Sequence, residues 1–384
     1  MTLPALLLEG SVKNIRGTKG VSPYVFEYSD RYSVFDWGAM PNQLESKGKS
    51  LAFMAWMFFD LMGDSKRWEG WKLSPELEKK YEEILADLRT KGMKHHCNYL
   101  VDDANTPIEG LGLSKNLSVQ AVDVFRPESS VKDGKLSWDY SKYQDKLTNC
   151  LVPLEIIFRF GLPAGSSLFQ RASDATYLKD LGLSSLPKEG DRFDFPVVEF
   201  STKLETTDRY ISSSVAQKMS GLNDVEFKKL KDSVMVAALR LKDLFQEVGI
   251  ELWDGKFEMG ITKELDHIGN RNFLMVDSIG PDELRLTYKG QQLSKENLRH
   301  CYRGSDWYNG VETAKKMATE RGEKDWKKIC KEELKLTPPA LDQEVVNKFS
   351  MMYKSLANTL AEKYYQRSVF PDAWSMDELY LKLK

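Results

Sequence analysis

Cysteine and histidine are scarce in this sequence, and neither residue forms a metal-binding or disulfide pattern. The 384 residues include four cysteines and four histidines. No C-x-x-C pair occurs, and no histidine is spaced to share a metal with a cysteine. A zinc site or a disulfide framework would need such clusters. We therefore expect four reduced cysteines and a cytoplasmic location, where thiols stay reduced.

Excess charge and long apolar runs are also missing. The formal net charge is −2 at pH 7, so no overall field attracts nucleic acid or an anionic membrane. The most hydrophobic run, 51–62, contains Asp60 and is shorter than the roughly 20 residues that span a bilayer. We interpret it as a buried helix with Ser50 as its N-cap. The first ten residues lack the basic stretch of a signal peptide. We expect neither nucleic acid nor a membrane as a partner.

The common nucleotide-binding motifs of α/β proteins are absent as well. Neither G-x-G-x-x-G nor G-x-x-x-x-G-K-[ST] occurs, which excludes Rossmann and P-loop sites at the level of motif. Strand patterns dominate the first quarter, mixed patterns fill the middle, and helical patterns follow Leu298. This order predicts an α+β fold rather than a regular βαβ alternation.

Hydrophobic periodicity and turn residues predict the main elements. Strands are expected within 6–36, within 117–126 and over 151–160, helices over 75–92, 223–248 and 343–364, and a polar surface loop over 127–147.

The most informative stretch is the strand pattern over 250–260. Alternation would place Asp254, Lys256 and Glu258 on one face and Trp253, Phe257 and Met259 on the other. A second strand pattern ends at Asp277 after a polar turn, so a hairpin would bring Asp277 near Glu258. Magnesium prefers one or two carboxylates together with water and phosphate oxygens, so this pair suits a magnesium-bound nucleotide. The alternative is a solvated charged face, which is common on half-buried sheets.

A second informative feature is Arg159, which lies on an apolar strand and is followed by the loop 161–167. A buried arginine needs an anion, because an unpaired buried charge is costly. Together with Ser166 and free N–H groups it would form a phosphomonoester site. The alternative is an internal salt bridge to Glu155.

These clusters, with others over 10–13, 30–36, 200–211 and 277–299, resemble the motifs of the SAICAR synthetase (phosphoribosylaminoimidazole-succinocarboxamide synthase) family of purine biosynthesis. Seven family motifs have counterparts in sequence order: G-K-x-K at 10–13, D-R-x-S-A-F-D at 30–36, V-P-x-E-x-x-x-R with A-G-S at 152–166, T-K-x-E with D at 202–208, D-x-K-[FL]-E-x-G at 254–260, D-E-x-x-[ST]-P-D-x-x-R at 277–285, and P-P-x-L-x-x-E-V-V at 338–346. The fifth motif is matched in full. Seven ordered motifs are specific, whereas one alone is weak.

The resemblance implies a two-lobed α+β fold, with an N-terminal antiparallel β lobe that binds ATP over 1–120, a larger α+β lobe over 121–384, and the ATP cleft between them. Family members use ATP and Mg²⁺ to join L-aspartate to the carboxylate of CAIR (carboxyaminoimidazole ribonucleotide). The products are SAICAR, ADP and phosphate. A carboxylate is a poor acyl donor because its oxyanion does not leave, so phosphoryl transfer would first make an acyl phosphate. The sequence leaves open whether the chain forms a homo-oligomer.

The same resemblance implies a role for each matched residue. Catalytic roles fall to Lys256, Asp208 and Asp282, nucleotide contacts to Lys13, Gln120, Asp123, Glu258 and Asp277, and the metal to Glu258 and Asp277. Substrate contacts fall to Ser33, Asp36, Arg159, Ser166, Lys203, Arg285 and Arg299.

Three positions depart from the family pattern. Ser11 stands where the family has lysine, Thr207 where it has histidine, and Ser278 where it has glutamate. A paralogous amide-forming ligase for another carboxylated nucleotide, or an inactive homologue, would fit these departures. A small-molecule kinase and a non-catalytic nucleotide-binding protein are the alternatives outside the family. The absence of H-R-D and D-F-G motifs disfavours a protein kinase.

Overall fold

The protein folds around two antiparallel β-sheets, the first of which is built from the N-terminal third of the chain. The computed structural model describes residues 2–132, 135–171, 173–185, 187–323 and 325–384. The first sheet has the strand order β1-β2-β3-β5-β4. Its strands are β1 (Leu6–Leu8), β2 (Lys13–Thr18), β3 (Val21–Tyr28), β4 (Cys97–Val101) and β5 (Asn116–Val119).

Helices connect β3 to β4, and the longest of them is buried around most of its circumference. They are α1 (Lys47–Gly63), α2 (Lys66–Glu69), α3 (Pro75–Lys80) and α4 (Glu82–Lys91). The expected start of α1 after Ser50 is wrong. The Asp30 carboxylate accepts hydrogen bonds from the N–H groups of Ser46 at 3.3 Å and Gly48 at 2.9 Å, so it caps the helix from another segment.

The helix expected over 75–92 is in fact two helices, α3 and α4, which part at Tyr81. Tyr81 leaves helical geometry, with φ −111° and ψ 21°, while its ring is buried in the core. Gly92 ends α4 as expected, with φ 70°. A Cβ at Gly92 would lie 1.8 Å from the Gly63 carbonyl oxygen, so only glycine fits this close approach.

The segment expected to be a surface loop over 127–147 contains a β-hairpin. Its strands β6 (Glu128–Lys132) and β7 (Lys135–Asp139) are antiparallel, and a 3₁₀ turn at Ser141–Asp145 follows. The missed sequence feature is the dipeptide Asp133-Gly134, which is typical of hairpins with two-residue turns and lies outside the described residues.

Strands of the second sheet carry four of the predicted site residues, Arg159, Lys256, Glu258 and Arg285. Its order is β11-β10-β9-β12-β14-β15, and β8 and β13 pair with the far half of β12. The strands are β8 (Cys150–Leu151), β9 (Leu154–Gly161), β10 (Arg192–Thr202), β11 (Tyr210–Ile211), β12 (Ile250–Leu265), β13 (Arg271–Val276), β14 (Leu284–Tyr288) and β15 (Gln291–Gln292). The long strand β12 therefore connects all parts of this sheet.

A bulge at Trp253 changes the alternation expected for β12. Leu252 pairs with Leu286 and Asp254 with Arg285, so Trp253 is the extra residue. Leu252 belongs to the hydrophobic core, whereas Trp253 lies against the Arg192 guanidinium at 3.3 Å. The expectation that Trp253 shares the core face with Phe257 is wrong for this reason.

The remaining helices cover the second sheet and close the chain. They are α5 (Ala175–Asp180), α6 (Ser213–Ser220), α7 (Asp224–Gln246), α8 (Lys295–His300), α9 (Asp306–Arg321), α10 (Trp326–Lys328), α11 (Gln343–Tyr365) and α12 (Met376–Leu383), with a π-helical turn at Ile329–Glu333 and a 3₁₀ turn at Ser167–Gln170. The helices expected over 223–248 and 343–364 are confirmed as α7 and α11. A capping box of Asn223 and Glu226 begins α7.

One continuous hydrophobic core joins the two sheets. It includes Phe26 of the first sheet, Phe59 of α1, Phe158 and Phe257 of the second sheet, and Met352 of α11. The α+β fold class is confirmed, and the division into lobes at residue 120 stays a prediction. Within the described ranges, no helix has both the length and the apolar character needed to cross a bilayer.

Candidate active site

The hairpin of β12 and β13 brings Glu258 beside Asp277, as the two strand patterns and the turn between them predict. Glu258 pairs with Val276 across the hairpin, and Asp277 follows with a left-handed backbone (φ 66°). Asp277 forms an ion pair with Lys13 of β2, and Glu258 Oε1 lies 2.6 Å from the Nζ of Lys203. Both sheets therefore contribute charge to one site.

The pKa values of these two carboxyl groups diverge. Burial and the neighbouring Asp277 charge raise the pKa of Glu258 to about 7. Burial also acts to raise the pKa of Asp277, but Lys13 and Lys203 outweigh it and hold that pKa well below its usual range. Asp277 is therefore ionised at neutral pH, whereas Glu258 titrates there.

Glu258 and Asp277 fit a magnesium ion as a two-carboxylate site. Glu258 Oε1 is buried and makes no hydrogen bond, and its contact with Lys203 is an ion pair without hydrogen-bond geometry. Among the residues that the structure describes, no group of three or more His, Cys, Asp or Glu side chains could hold a metal. A magnesium ion here would take most of its ligands from phosphate and water, which is its usual preference.

Lys256 lies in a lysine–carboxylate network with Glu155 of β9. Lys256 Nζ donates a hydrogen bond to Glu155 Oε1, and the same oxygen accepts one from Lys203 Nζ at 3.0 Å. Burial disfavours the charged form of both lysines, but the surrounding carboxylates outweigh it and raise both pKa values. Both lysines are therefore cations at neutral pH.

Asp208, which has a predicted catalytic role, interacts electrostatically with this network and with Asp36, a predicted substrate residue. Partial desolvation and the charges of Glu155 and Asp36 raise the pKa of the exposed Asp208, whereas the nearby lysines lower it. The raising effects are larger, and the pKa is about 6. Asp36 is exposed and lies 3.4 Å from Lys315 Nζ. Ser33 is buried. The charge of Asp208 therefore interacts both with Asp36 and with the lysine–carboxylate network.

Arg159, further along β9, is buried among carboxylates of the chain itself. Its Nη1 donates a hydrogen bond to Asp254 Oδ2 at 2.8 Å and lies 3.5 Å from Ser166 Oγ, and its Nε donates one to Glu199. The alternative of a salt bridge to Glu155 is wrong, because Glu155 binds the two lysines instead. Asp254 is therefore occupied by arginine rather than by a metal or a nucleotide.

Three more arginines gather around Glu296. It accepts a hydrogen bond from Arg299 at 2.8 Å and forms ion pairs with Arg303 and, at 3.8 Å, with Arg285. Arg285 Nη1 also donates a hydrogen bond to Asp254 Oδ2 at 3.2 Å. Arg285 thereby connects the Glu296 group to Arg159.

Positive charge is in excess over this arginine cluster. In the described part of the chain, five guanidinium groups surround three carboxylates, which leaves two positive charges: Arg159, Arg171, Arg285, Arg299 and Arg303 against Glu199, Asp254 and Glu296. A phosphomonoester carries about two negative charges near neutral pH. The arginine cluster therefore matches a phosphomonoester in charge, and guanidinium is a type of group well suited to binding phosphate.

Gln120 and Asp123 lie where the chain crosses from the first sheet to the second. The N–H of Gln120 donates a hydrogen bond to the His96 carbonyl at 2.6 Å, directly after β5. Asp123 is exposed, and its backbone bonds to Asn149 and Leu151. Contact of either residue with adenine stays a prediction.

Asp282 lies in a buried group with Lys47 and Tyr353. Its Oδ2 accepts a hydrogen bond from Lys47 Nζ at 2.7 Å, and its Oδ1 accepts one from the Tyr353 hydroxyl at 2.6 Å. Burial would raise its pKa, but Lys47 and Lys295 outweigh it and lower the pKa. Because the chain itself engages both oxygens, the catalytic role of Asp282 stays a prediction.

Several partners of the site residues carry little signal in the sequence. Lys47 and Tyr353 belong to helices whose patterns indicate only burial or amphipathicity. Glu199 is one residue of a strand pattern. Arg303 follows Arg299 by four residues, a spacing at which helical side chains are neighbours, so it could have been found.

The sequence of this chain is similar to those of known proteins. A family model described as SAICAR synthetase matches residues 117–314. A protein of Archaeoglobus fulgidus, provisionally named phosphoribosylaminoimidazole-succinocarboxamide synthase, is 32% identical over 98% of each chain. The Thermoplasma acidophilum protein of that name is 25% identical over 91% of this chain and 96% of its own.

A solved structure gives the fold class. The chain resembles the SAICAR synthase of Saccharomyces cerevisiae, solved with SAICAR, with a TM-score of 0.54, 19% identity, and coverage of 97% of this chain and 96% of the yeast chain. The fold is therefore that of a SAICAR synthase. The chain belongs to the SAICAR synthetase family, which confirms the resemblance found in its motifs.

Proposed function

We propose that this protein is an ATP-dependent ligase that joins L-aspartate to the carboxylate of CAIR. The observation that carries the proposal is the adjacency of two kinds of anion site. Lys13 and Lys203 pair with the two carboxylates that fit a metal, and Lys256 interacts electrostatically with both. The arginine cluster beside them has two positive charges in excess. The first suits a metal-bound polyphosphate, and the second suits the 5′-phosphate of a nucleotide.

The proposed reaction has two steps. A carboxylate oxygen of CAIR attacks the γ-phosphorus of ATP, the bond to the β–γ bridging oxygen breaks, and ADP leaves. The amine of aspartate then attacks the acyl phosphate, and phosphate leaves with the former carboxylate oxygen. The nitrogen gives up two protons on the way from ammonium to amide.

The lysines and carboxylates serve the first step. Phosphoryl transfer needs positioning and charge neutralisation more than covalent help. Lys13 would neutralise the ATP phosphates, and Lys256 with Lys203 would neutralise the transferred group and the CAIR carboxylate. Glu258 and Asp277 would hold Mg²⁺, which would supply positive charge to offset the negative charge of the phosphates.

The remaining residues serve substrate binding and the second step. Arg159, Ser166, Arg285 and Arg299 would hold the 5′-phosphate of CAIR. Asp208, with a pKa of about 6, would accept a proton from the ammonium group of aspartate, since a base with a pKa just below the working pH is ionised and still basic. Ser33 and Asp36 would line the same site.

Release of ADP under substrate omission tests this function. Apart from slow uncoupled turnover, the ligase is expected to release ADP only with ATP, CAIR and L-aspartate together. Release without aspartate would favour a kinase, and no release would favour a binding protein or an inactive homologue. Replacement of CAIR by another carboxylated nucleotide would identify a paralogous ligase. The cytoplasmic location and self-association stay predictions.

A further inference from the structure

We propose, on the basis of the function above, that Lys47 and Tyr353 are positioning residues for the active site. They hold Asp282 and thereby fix the loop from Asp277 to Glu283. One end of this loop carries the proposed metal carboxylate, and the other leads into β14, which carries Arg285 of the phosphate site. The three residues Lys47, Asp282 and Tyr353 are called the clamp below.

The clamp joins three distant parts of the chain in a buried setting. The side chain of Lys47 is 0% exposed and that of Asp282 is 5% exposed, and Tyr353 is 0% exposed. Lys47 Nζ also lies 5.2 Å from the centre of the Tyr353 ring. Lys47 begins α1, and Tyr353 lies in the middle of α11. Each oxygen of the Asp282 carboxylate therefore has one donor, and the two donors come from different helices.

The position of Lys47 is itself fixed. The Asp30 carboxylate caps the start of α1 on either side of Lys47. A Cβ at Gly48 would lie 3.0 Å from the Tyr28 carbonyl oxygen, so the helix start lies directly on β3. The Tyr28 hydroxyl in turn bonds Ser278 Oγ at 2.6 Å. The beginning of the loop and the donor of the clamp thus rest on the same strand.

The loop that begins at Asp277 depends on contacts with other parts of the chain to keep its conformation. Asp277 has φ 66°, a left-handed conformation that costs free energy for a residue other than glycine and persists only where the surroundings impose it. Next to Asp282, the Glu283 carbonyl accepts a hydrogen bond from the Lys256 N–H at 3.2 Å, so the clamp also bears on the strand that carries Lys256. Hydrogen bonds to a carboxylate are about twice as strong as neutral ones, which suits this task.

The test compares two tyrosines of α11 that make the same kind of bond. Tyr353→Phe removes the hydroxyl from Asp282. Tyr365→Phe removes a hydroxyl that donates to Asp60 Oδ2 at 2.6 Å, outside the proposed site. Calorimetry with Mg-ADP, without CAIR or aspartate, gives the dissociation constant, and ADP release with all substrates gives kcat and each KM. Thermal melting reports stability separately.

Tyr353→Phe is expected to weaken Mg-ADP binding and to lower kcat by about tenfold each, the effect of losing one charge-assisted hydrogen bond. Tyr365→Phe is expected to leave both within twofold of the wild type. Values for Tyr353→Phe within twofold of those for Tyr365→Phe would overturn the inference. If Tyr353→Phe does not fold, Lys47→Arg is measured in its place, because it keeps the charge and changes the length of the side chain. Its Mg-ADP dissociation constant and its kcat are each compared with those of Tyr365→Phe, with the same expected results.

The binding measurement separates this inference from the proposed function. A wild-type protein that binds Mg-ADP but forms no SAICAR contradicts the function alone, and the ratio of dissociation constants still decides the inference. An active wild type with an unaffected Tyr353→Phe variant contradicts the inference alone. A wild type that does not bind Mg-ADP contradicts both.

Discussion

Lys13 on β2 and Asp277 at the end of β13 form an ion pair although 264 residues separate them in the chain. The first sheet thus supplies the cation that keeps the Asp277 carboxylate ionised in the second sheet. Lys13 also lies over the Phe26 ring at 4.2 Å, which fixes its direction. The two sheets therefore share one site, and each supplies part of its charge.

Replacing the Asp277 carboxylate by an amide tests its assignment to the metal and nucleotide. Asp277→Asn keeps the shape and removes the charge that would balance Mg²⁺. We expect aspartate-dependent ADP release to disappear and the dissociation constant of Mg-ADP to rise by at least about tenfold. Glu264→Gln, which changes an exposed carboxylate on β12, is the matched control. Unchanged Mg-ADP affinity in Asp277→Asn would remove this residue from the metal site.

Lys256→Ala tests the cation at the transferred group. The variant leaves Glu155 with Lys203 as its remaining lysine partner, so the fold is expected to persist while kcat falls by about a hundredfold or more, as for loss of a group that stabilises developing charge. Steady-state kinetics and circular dichroism check the two parts. Lys263→Ala, an exposed lysine on the same strand, should keep full activity. Wild-type turnover in Lys256→Ala would contradict the account.

Arg299→Ala tests the arginine cluster as the site of the 5′-phosphate. Arg299 is partly exposed and shares Glu296 with two other arginines, so removing it should weaken substrate binding without exposing a buried charge. We expect the KM for CAIR to rise by about tenfold while kcat and the KM for ATP stay within about twofold, the pattern of lost uniform binding. Arg321→Ala, an exposed arginine paired with Glu333, is the control. A rise in the KM for ATP instead would move the cluster to the nucleotide.

Because His96 is buried, we expect the folded protein to lose stability in mild acid. Burial lowers its pKa to about 3 in the folded protein, whereas an unfolded histidine titrates near pH 6.5. The unfolded state therefore binds more protons as the pH falls below that value, and the free energy of unfolding decreases. Between pH 7.5 and 5.5 this histidine should cost about 1.4 kcal/mol.

Urea unfolding of the wild type and of His96→Gln at the two pH values measures that contribution. The variant should lose about 1.4 kcal/mol less than the wild type over this range. His300→Gln, which removes an exposed histidine, should behave like the wild type. An identical pH dependence for wild type and His96→Gln would show that His96 is not buried in its neutral form.

The sequence predicts the parts of the site that follow from local rules. The approach of Glu258 to Asp277 follows from two strand patterns joined by a hairpin turn, and it is found. On the same strand, the predicted face of Trp253 is wrong because of a β-bulge. The bulge arises from the pairing of neighbouring strands, and no local sequence pattern predicts it. The predicted start of α1 is likewise wrong, because its cap, Asp30, comes from another segment.

Long-range pairing of charges could not be predicted. The sequence predicts a bound anion or Glu155 as the partner of Arg159, yet Glu199 and Asp254 neutralise Arg159 from two other strands. The donors to Asp282 come from two helices that lie far from it in sequence. Such contacts depend on how the elements pack, and hydrophobic periodicity carries no information about which charged residues then meet.

Transfer of a labelled oxygen tests the central claim most directly. CAIR with ¹⁸O in both carboxylate oxygens is incubated with ATP, Mg²⁺, L-aspartate and the protein, and the products are analysed by mass spectrometry. The account predicts one ¹⁸O in the released phosphate, one in the amide of SAICAR, and one ADP for each SAICAR. Unlabelled phosphate would contradict activation of the carboxylate by phosphoryl transfer, and ADP released at an undiminished rate without formation of SAICAR would contradict capture of the acyl phosphate by aspartate.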